Sequence, residues 1–383
     1  MAADKIKQEN KTECLNLNPG YIFKERMKVV KKLGEGTFGV VYEMVHVKNG
    51  QRAAMKVEPR SSKNQVLKME AAVLKALSAV KPVHYVPLYA CGKTKDFNFI
   101  IMGLVGNDLR ELKKNCSKKD AFSTSTTVRL GIQMIEGIEE LHKVGFLHRD
   151  IKPSNFAMGL GKLNHRILYI LDFGLSRSFL TDDKKLRPPR TQLGLRGTIR
   201  YCSISAHENK ELGRHDDIIM AMYTLVECIK GVLPWKKLTD RKAVHVLKEK
   251  TGKGELFVDC PSEFFVVWKD VSQLKYEDCP KYKFYINQFL KVMRRKNYKI
   301  ADPFDWEVSG DNIPHSISIE TPDVTISSDR ENRELLNGIS ITDKSDMESA
   351  YGKLSDSFKY RPTFNTNSPY SSHARKNNSK PPI

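Results

Sequence analysis

The stretch His148-Arg149-Asp150-Ile151-Lys152-Pro153-Ser154-Asn155 follows a helical run and leads toward a short apolar strand that ends in Asp172-Phe173-Gly174. It combines a carboxylate able to take a proton, an amine two residues on and an amide five residues on, with a second carboxylate beyond the strand. None of these residues is informative alone. Their order and spacing define a constellation that the rest of the chain serves.

On the N-terminal side, Thr124 to His142 reads as an amphipathic helix that buttresses the stretch. Ser and Thr are its N-cap candidates, and Leu130, Met134, Ile138 and Leu141 fall on one face. On the C-terminal side, Ser176 to Arg200 reads as a long loop with Arg177, Lys184, Lys185, Arg187, Arg190, Arg196 and Arg200 against Asp182 and Asp183. Asp217 to Ile229 is nearly all apolar, as a buried helix requires. Amphipathic segments at 241–250, 263–271 and 282–295 complete a mainly helical region.

The earlier half of the chain reads differently. Val29 to Leu33 runs into Gly34-Glu35-Gly36-Thr37-Phe38-Gly39, and Val40-Val41-Tyr42 then continues as a strand, not a helix. A dinucleotide-binding turn would open a helix at its third glycine, so these glycines predict a hairpin flap able to lie close over phosphates. Asn49-Gly50 is a type I′ turn signal before the next strand, Arg52 to Glu58. Lys56 interrupts that otherwise apolar strand and needs an anionic partner. Glu70, on a helix whose Val66, Met69, Val73, Leu74 and Leu77 share a face, is the preferred one; Glu58 is ranked below it as a solvated strand end. Phe97 to Met102 is another strand, and Gly103 to Gly106 links it to a helix near Asp108. The cleft at that link suits an adenine ring, with Met102 at its back wall.

The 383 residues carry a formal charge of +19. Residues 311–383 hold 9 Lys and Arg against 10 Asp and Glu, so the basic excess lies in residues 1–310 and favours acidic partners. Apolar runs are far shorter than a membrane span, which takes about 18 residues, and no aromatic-rich RNA-binding motif is present. The start lacks an apolar leader segment and a myristoylation glycine, so the expected compartment is intracellular, cytoplasmic with the nucleus as a second site. Seven scattered cysteines predict reduced thiols and no zinc site. Residues 1–23 read as a flexible leader, and residues 309–383, rich in Ser, Thr, Asn and Pro, as a disordered tail.

The chemistry follows from the residue types. Asp150 suits the orienting and late deprotonation of an acceptor hydroxyl, and Lys152 the neutralising of a transferring phosphoryl group. Asn155 and Asp172 offer the hard oxygen ligands that magnesium prefers. His148 braces the loop by packing, and Arg149 orders the basic loop by its charge. Thr198 either hydrogen-bonds Asp150 and Lys152 or serves only a turn.

The glycine-rich loop, Lys56, Glu70, His148 to Asn155 and Asp172-Phe173-Gly174 occur in the order and at the spacing of eukaryotic protein kinases, which residues 24–308 resemble. Ser203-Ile204-Ser205-Ala206-His207 stands in place of the usual Ala-Pro-Glu, as in the casein kinase 1 group. Val66-Leu67-Lys68-Met69-Glu70, Ser154-Asn155-Phe156-Ala157-Met158-Gly159, Gly213-Arg214-His215-Asp216-Asp217 and Phe304-Asp305-Trp306-Glu307 are similar to its tau-tubulin kinase branch. Ile219-Met220, where relatives carry Trp-Ser, and Gly103, where an acidic residue is common, resemble divergent, nematode-type members.

The resemblance implies an α+β bilobal fold: a small antiparallel sheet with one helix (24–102), a hinge (103–106) and a larger helical lobe (107–308). It implies a monomeric Ser/Thr kinase that uses ATP and magnesium without obligatory loop phosphorylation. Leu33, Gly34, Glu35, Gly36, Thr37, Phe38, Gly39, Val40, Val41, Ala54, Lys56, Glu70, Met102, Leu104 and Asp172 would bind the nucleotide, Asp150, Lys152 and Asn155 would be catalytic, and Asn155 and Asp172 would hold the metal. Expected partners are acidic or phosphorylated protein segments, including tubulin or microtubule-associated proteins, and neither nucleic acid nor membrane. A pseudokinase scaffold for acidic partners is the alternative, disfavoured because Lys56, Asp150 and Asp172 are all retained.

Overall fold

The computed structural model describes residues 15–36, 39–62, 65–116, 120–191 and 193–308. Thr37 and Phe38, leader residues 1–14 and the tail at 309–383 lie outside the described residues.

Strands β1 (Ile22–Phe23), β2 (Met27–Gly36), β3 (Gly39–His46), β4 (Arg52–Pro59), β5 (Leu88–Lys93) and β6 (Phe97–Met102) form one antiparallel sheet, ordered β1-β2-β3-β4-β6-β5. Alternating side chains of β2 and β3, with Met55, Val57, Phe99 and Ile101, bury one face. The glycine-rich segment is the predicted hairpin, with Gly36 opposite Gly39. The Asn49-Gly50 turn differs from the type I′ expectation. The Gly50 amide donates to His46 O at 2.9 Å, and only Gly50 of the two is left-handed (φ +72°), so four residues rather than two make the connection.

Residues 15–23, assigned above to the leader, contribute to this core. Leu15 and Phe23 are buried, Tyr42 Oη donates to Leu15 O at 2.5 Å, and the Phe23 ring meets Phe99 edge-on at 4.9 Å. Isolated apolar residues among polar ones carry no period, which is why composition alone reads the segment as unstructured.

Helix α1 (Val66–Ser78) packs against β5 and β6. Its buried face is Leu67, Glu70, Ala71, Val73, Leu74 and Leu77. Val66 and Met69 lie at the border, so Glu70 stands at the middle of the inward face rather than at its edge.

The second lobe begins after residues 103–106 with α2 (Leu109–Lys114), capped by Asp108 through its bond from Glu111 N at 2.9 Å. Gly103 suits crowding: a Cβ there would meet Pro87 Cδ at 2.9 Å. Helix α3 (Thr124–Lys143) is central, with Ser123 as its N-cap. Strands β7 (Phe146–Leu147), β8 (Phe156–Met158), β9 (Leu168–Ile170) and β10 (Arg177–Ser178) make two small ladders, β7 with β10 and β8 with β9, and the short helix α4 (Gly161–Asn164) lies in the connection from β8 to β9. Helix α5 (Ile204–His207) precedes α6 (Arg214–Lys230), α7 (Arg241–Thr251), α8 (Ser262–Val271) and α9 (Tyr282–Arg295). α3 packs against α6 and α9, burying Leu130, Met134, Ile138 and Leu141 as the periodicity requires. The described cysteines are free, and no helix among the described residues is long and apolar enough to cross a membrane.

Candidate active site

Strand β4 sets Lys56 opposite Val41 and Ile100, facing α1. Its ammonium donates to Glu70 Oε2 at 2.6 Å and to Asp172 Oδ1 at 2.9 Å. Burial works against the charge on Lys56, but the two carboxylates outweigh it and hold its pKa above the ordinary lysine value. Burial likewise opposes ionisation of Asp172, and Lys56 beside it keeps its pKa below the usual carboxylate range. The preference for Glu70 over Glu58 holds for a different reason than solvation. Glu58 is buried, and its carboxylate accepts from Leu67 N at 3.0 Å and Asn98 Nδ2 at 3.1 Å, so it ties the start of α1 to β4 and β6.

The stretch at 148–155 forms a second cluster. Lys152 Nζ donates to Asp150 Oδ2 at 2.6 Å and to Thr198 Oγ1 at 3.1 Å. Thr198 donates to Asp150 Oδ1 through its amide at 2.9 Å and its hydroxyl at 2.8 Å. Of the two readings of Thr198, the structure selects the bonded one. Gly197 delivers it: φ there is +89°, and a Cβ would lie 2.6 Å from Arg149 O. Asn155 donates Nδ2 to Asp150 O at 2.9 Å, which leaves its amide oxygen, a hard donor, for a cation. Asp172, the other residue expected to offer a hard oxygen, keeps one carboxylate oxygen on Lys56.

Backbone strain marks both clusters. Arg149 (φ +69°) and Asp172 (φ +66°) adopt left-handed conformations that non-glycine residues avoid. Asp217 of α6 helps to hold the first of them. Its carboxylate accepts from His148 N and Arg149 N, each at 2.8 Å, and from His142 Nε2 at 2.9 Å. Sequence reading noted Asp217 only within a motif; its anchoring role needs the approach of α6, 68 residues away, to appear. His148 packs edge-on against Phe173 at 5.4 Å, and Arg149 Nε donates to Leu175 O at 2.7 Å, which braces the start of the basic loop.

The nucleotide-side residues divide by exposure. Ala54 and Val40 are buried, and Val41, Met102 and Leu104 are half-buried; Ala54 pairs with Met102 across β4 and β6. Leu33, Gly34, Glu35 and Gly36 are exposed, and Glu35 pairs with Lys32. The glycines are not equivalent. A Cβ on Gly34 or Gly36 would enter open space, whereas one on Gly39 would lie 2.0 Å from Val57 O, so Gly39 serves the sheet and the other two leave room above the cleft.

One cluster sets Lys56 between two carboxylates and the other holds Asp150 between Lys152 and Thr198, and comparison with known proteins says which family uses such an arrangement. Residues 27–298 match the protein kinase domain. A Dictyostelium discoideum protein named as a serine/threonine-protein kinase is 40% identical over 289 residues, 76% of this chain and 58% of that protein's length. Two Caenorhabditis elegans proteins, one named as a serine/threonine-protein kinase and one as a casein kinase I, are 36% and 32% identical, each over 78% of this chain and over 87% and 88% of their own lengths. With that match added to the arrangement of Lys56, Asp150 and Asp172, the chain belongs to the protein kinase family.

Proposed function

We propose that the protein is an active serine/threonine kinase of the casein kinase 1 group, nearest the tau-tubulin kinase branch, acting as a monomer in the cytoplasm or nucleus. The observation that carries this reading is Asp150, whose two carboxylate oxygens are fixed by Lys152 and Thr198. Lys56 would bind ATP phosphates from the other wall. Asn155 and Asp172 would hold magnesium, which when bound would supply positive charge to offset that of the phosphates. Asp150 then orients the acceptor hydroxyl and takes its proton late, and Lys152 balances charge on the transferred group. Replacing Asp150 with Asn keeps the size and removes the base, and should lower kcat by about 10²–10⁴-fold. Radiolabelled phosphate transfer to casein or tubulin checks this; equal incorporation by both proteins would sink the role of Asp150.

The substrate class proposed is acidic or already phosphorylated segments. The support is the basic loop, narrowed by the pairs it already makes. Arg177 and Arg190 pair with Glu211, and Lys185 pairs with Asp183 at 3.0 Å. Arg196 and Arg200 have no carboxylate ion pair among the described residues and lie on either side of Thr198. Reversing both to Glu should shift a peptide-array profile away from acidic sequences, and an unchanged profile removes the loop from substrate selection.

A further inference from the structure

Glu211 lies between α5 and α6, outside every motif discussed above. Its side chain is only 2% exposed, yet it faces a group of guanidinium ions. Arg190 grips it with Nε at 2.6 Å and Nη2 at 3.1 Å, and adds its backbone amide at 3.4 Å. Arg177 Nε approaches the other oxygen at 3.6 Å. Arg149, the neighbour of Asp150, lines the same small pocket with Arg190, Arg196, Lys210 and Glu211. Burial opposes ionisation of Glu211, and its bonds from Arg190 hold its pKa below the usual carboxylate range. Burial and then the charge of Arg177 push Arg149 down to about 10; three guanidinium groups face one carboxylate.

The three arginines come from separate parts of the segment that frames the substrate side. Arg149 stands beside the catalytic carboxylate, Arg177 opens the loop on β10 opposite Leu147, and Arg190 lies in the middle of the loop, before Thr198. Such arginine groups in kinases gather around a phosphate added to the loop, which orders it through charge-assisted bonds. A carboxylate gripped by an Arg fork makes bonds of the same kind. We infer that Glu211 is a positioning residue that fills the place of a loop phosphate, holding Arg177 and Arg190 beside Arg149 so that the segment carrying Thr198 is set without modification. This rests on the kinase reading and deepens it by naming the residue that would make loop phosphorylation dispensable.

The test uses the full chain, treated with phosphatase, as wild type, Glu211→Gln and the double variant Glu211→Gln with Arg190→Gln. Glu211→Gln keeps the shape and removes the charge. It should lower kcat for a protein substrate by about tenfold, the size of an ordinary coupling between sites. Millimolar inorganic phosphate or sulfate should restore most of the loss and raise the melting temperature of Glu211→Gln, because the freed arginines take the anion. The same anion should do neither for wild type, and the double variant should lose the rescue. A folded Glu211→Gln with wild-type kcat, or one that no anion stabilises or rescues, overturns the inference. A wild type that transfers no phosphate overturns the kinase reading instead, and anion-dependent melting of Glu211→Gln then still decides whether Glu211 fills an anion site.

Discussion

Two lysines, one half-buried and one fully buried, make opposite use of the same side chain. Lys56 in β4 meets two carboxylates and keeps its charge against burial. Lys248 in α7 is fully buried, and among the described residues no carboxylate ion pair reaches it. Its amine donates to Ile199 O at 2.7 Å and Cys202 O at 2.6 Å, contacts His207 Nε2 at 3.2 Å, and lies over the rings of Tyr223 and Trp235 at 5.1 and 5.4 Å. Burial lowers its pKa to about 8. Carboxylates preserve a charge that a phosphate can use, whereas carbonyls and ring faces absorb one that has only to hold the backbone on either side of Arg200 and Tyr201.

Of the two lysines, the larger expected effect falls on Lys56. Lys56→Arg keeps the charge but replaces a compact ammonium with a planar fork that does not fit between Glu70 and Asp172. It should lower kcat by about 10²-fold, the loss seen when a positioned charge-stabilising group is displaced. Its thermal unfolding should stay close to wild type, since the ion pairs persist in altered form. Steady-state kinetics beside a melting curve decides the matter. A variant that unfolds early yet transfers phosphate normally would reverse the roles of the two lysines.

The comparison also marks where the sequence was readable. The Lys56–Glu70 pair could be read because its chemistry fixes residue type and helical face, and the α+β division followed from period-two strands giving way to amphipathic helices. Glu58 was misjudged because burial at a strand end depends on where α1 begins, which no local pattern states. Glu211 and Lys248 left no signal, since their partners lie up to 49 residues away and meet only through tertiary packing. Asp217 was half legible: its motif was visible, and its target was not.

Lys248 offers the smaller and more specific test. Lys248→Met fills the same volume but leaves Ile199 O and Cys202 O without their donor, at about 1–3 kcal/mol each, partly offset by removal of a buried amine. A net loss of about 2 kcal/mol in denaturant unfolding is expected at neutral pH, with phosphoryl transfer retained by the folded fraction. The pH dependence sharpens this. The folded-state pKa of about 8 lies below the ordinary lysine value of 10.5, so between those two pH values the unfolded chain binds the extra proton. The contribution of Lys248 to stability therefore rises as pH climbs through that window, and below it the cost of the buried charge stays constant. The neighbouring Cys202 thiol, which burial pushes up, has the opposite slope, and His207, pushed down to about 4 by burial and then by Lys248, titrates outside the window. The quantity to measure is therefore the stability gap between wild type and Lys248→Met, which should widen from pH 8 toward pH 10. A gap that narrows would mean that the amine is held charged after all, and the contrast with Lys56 would disappear.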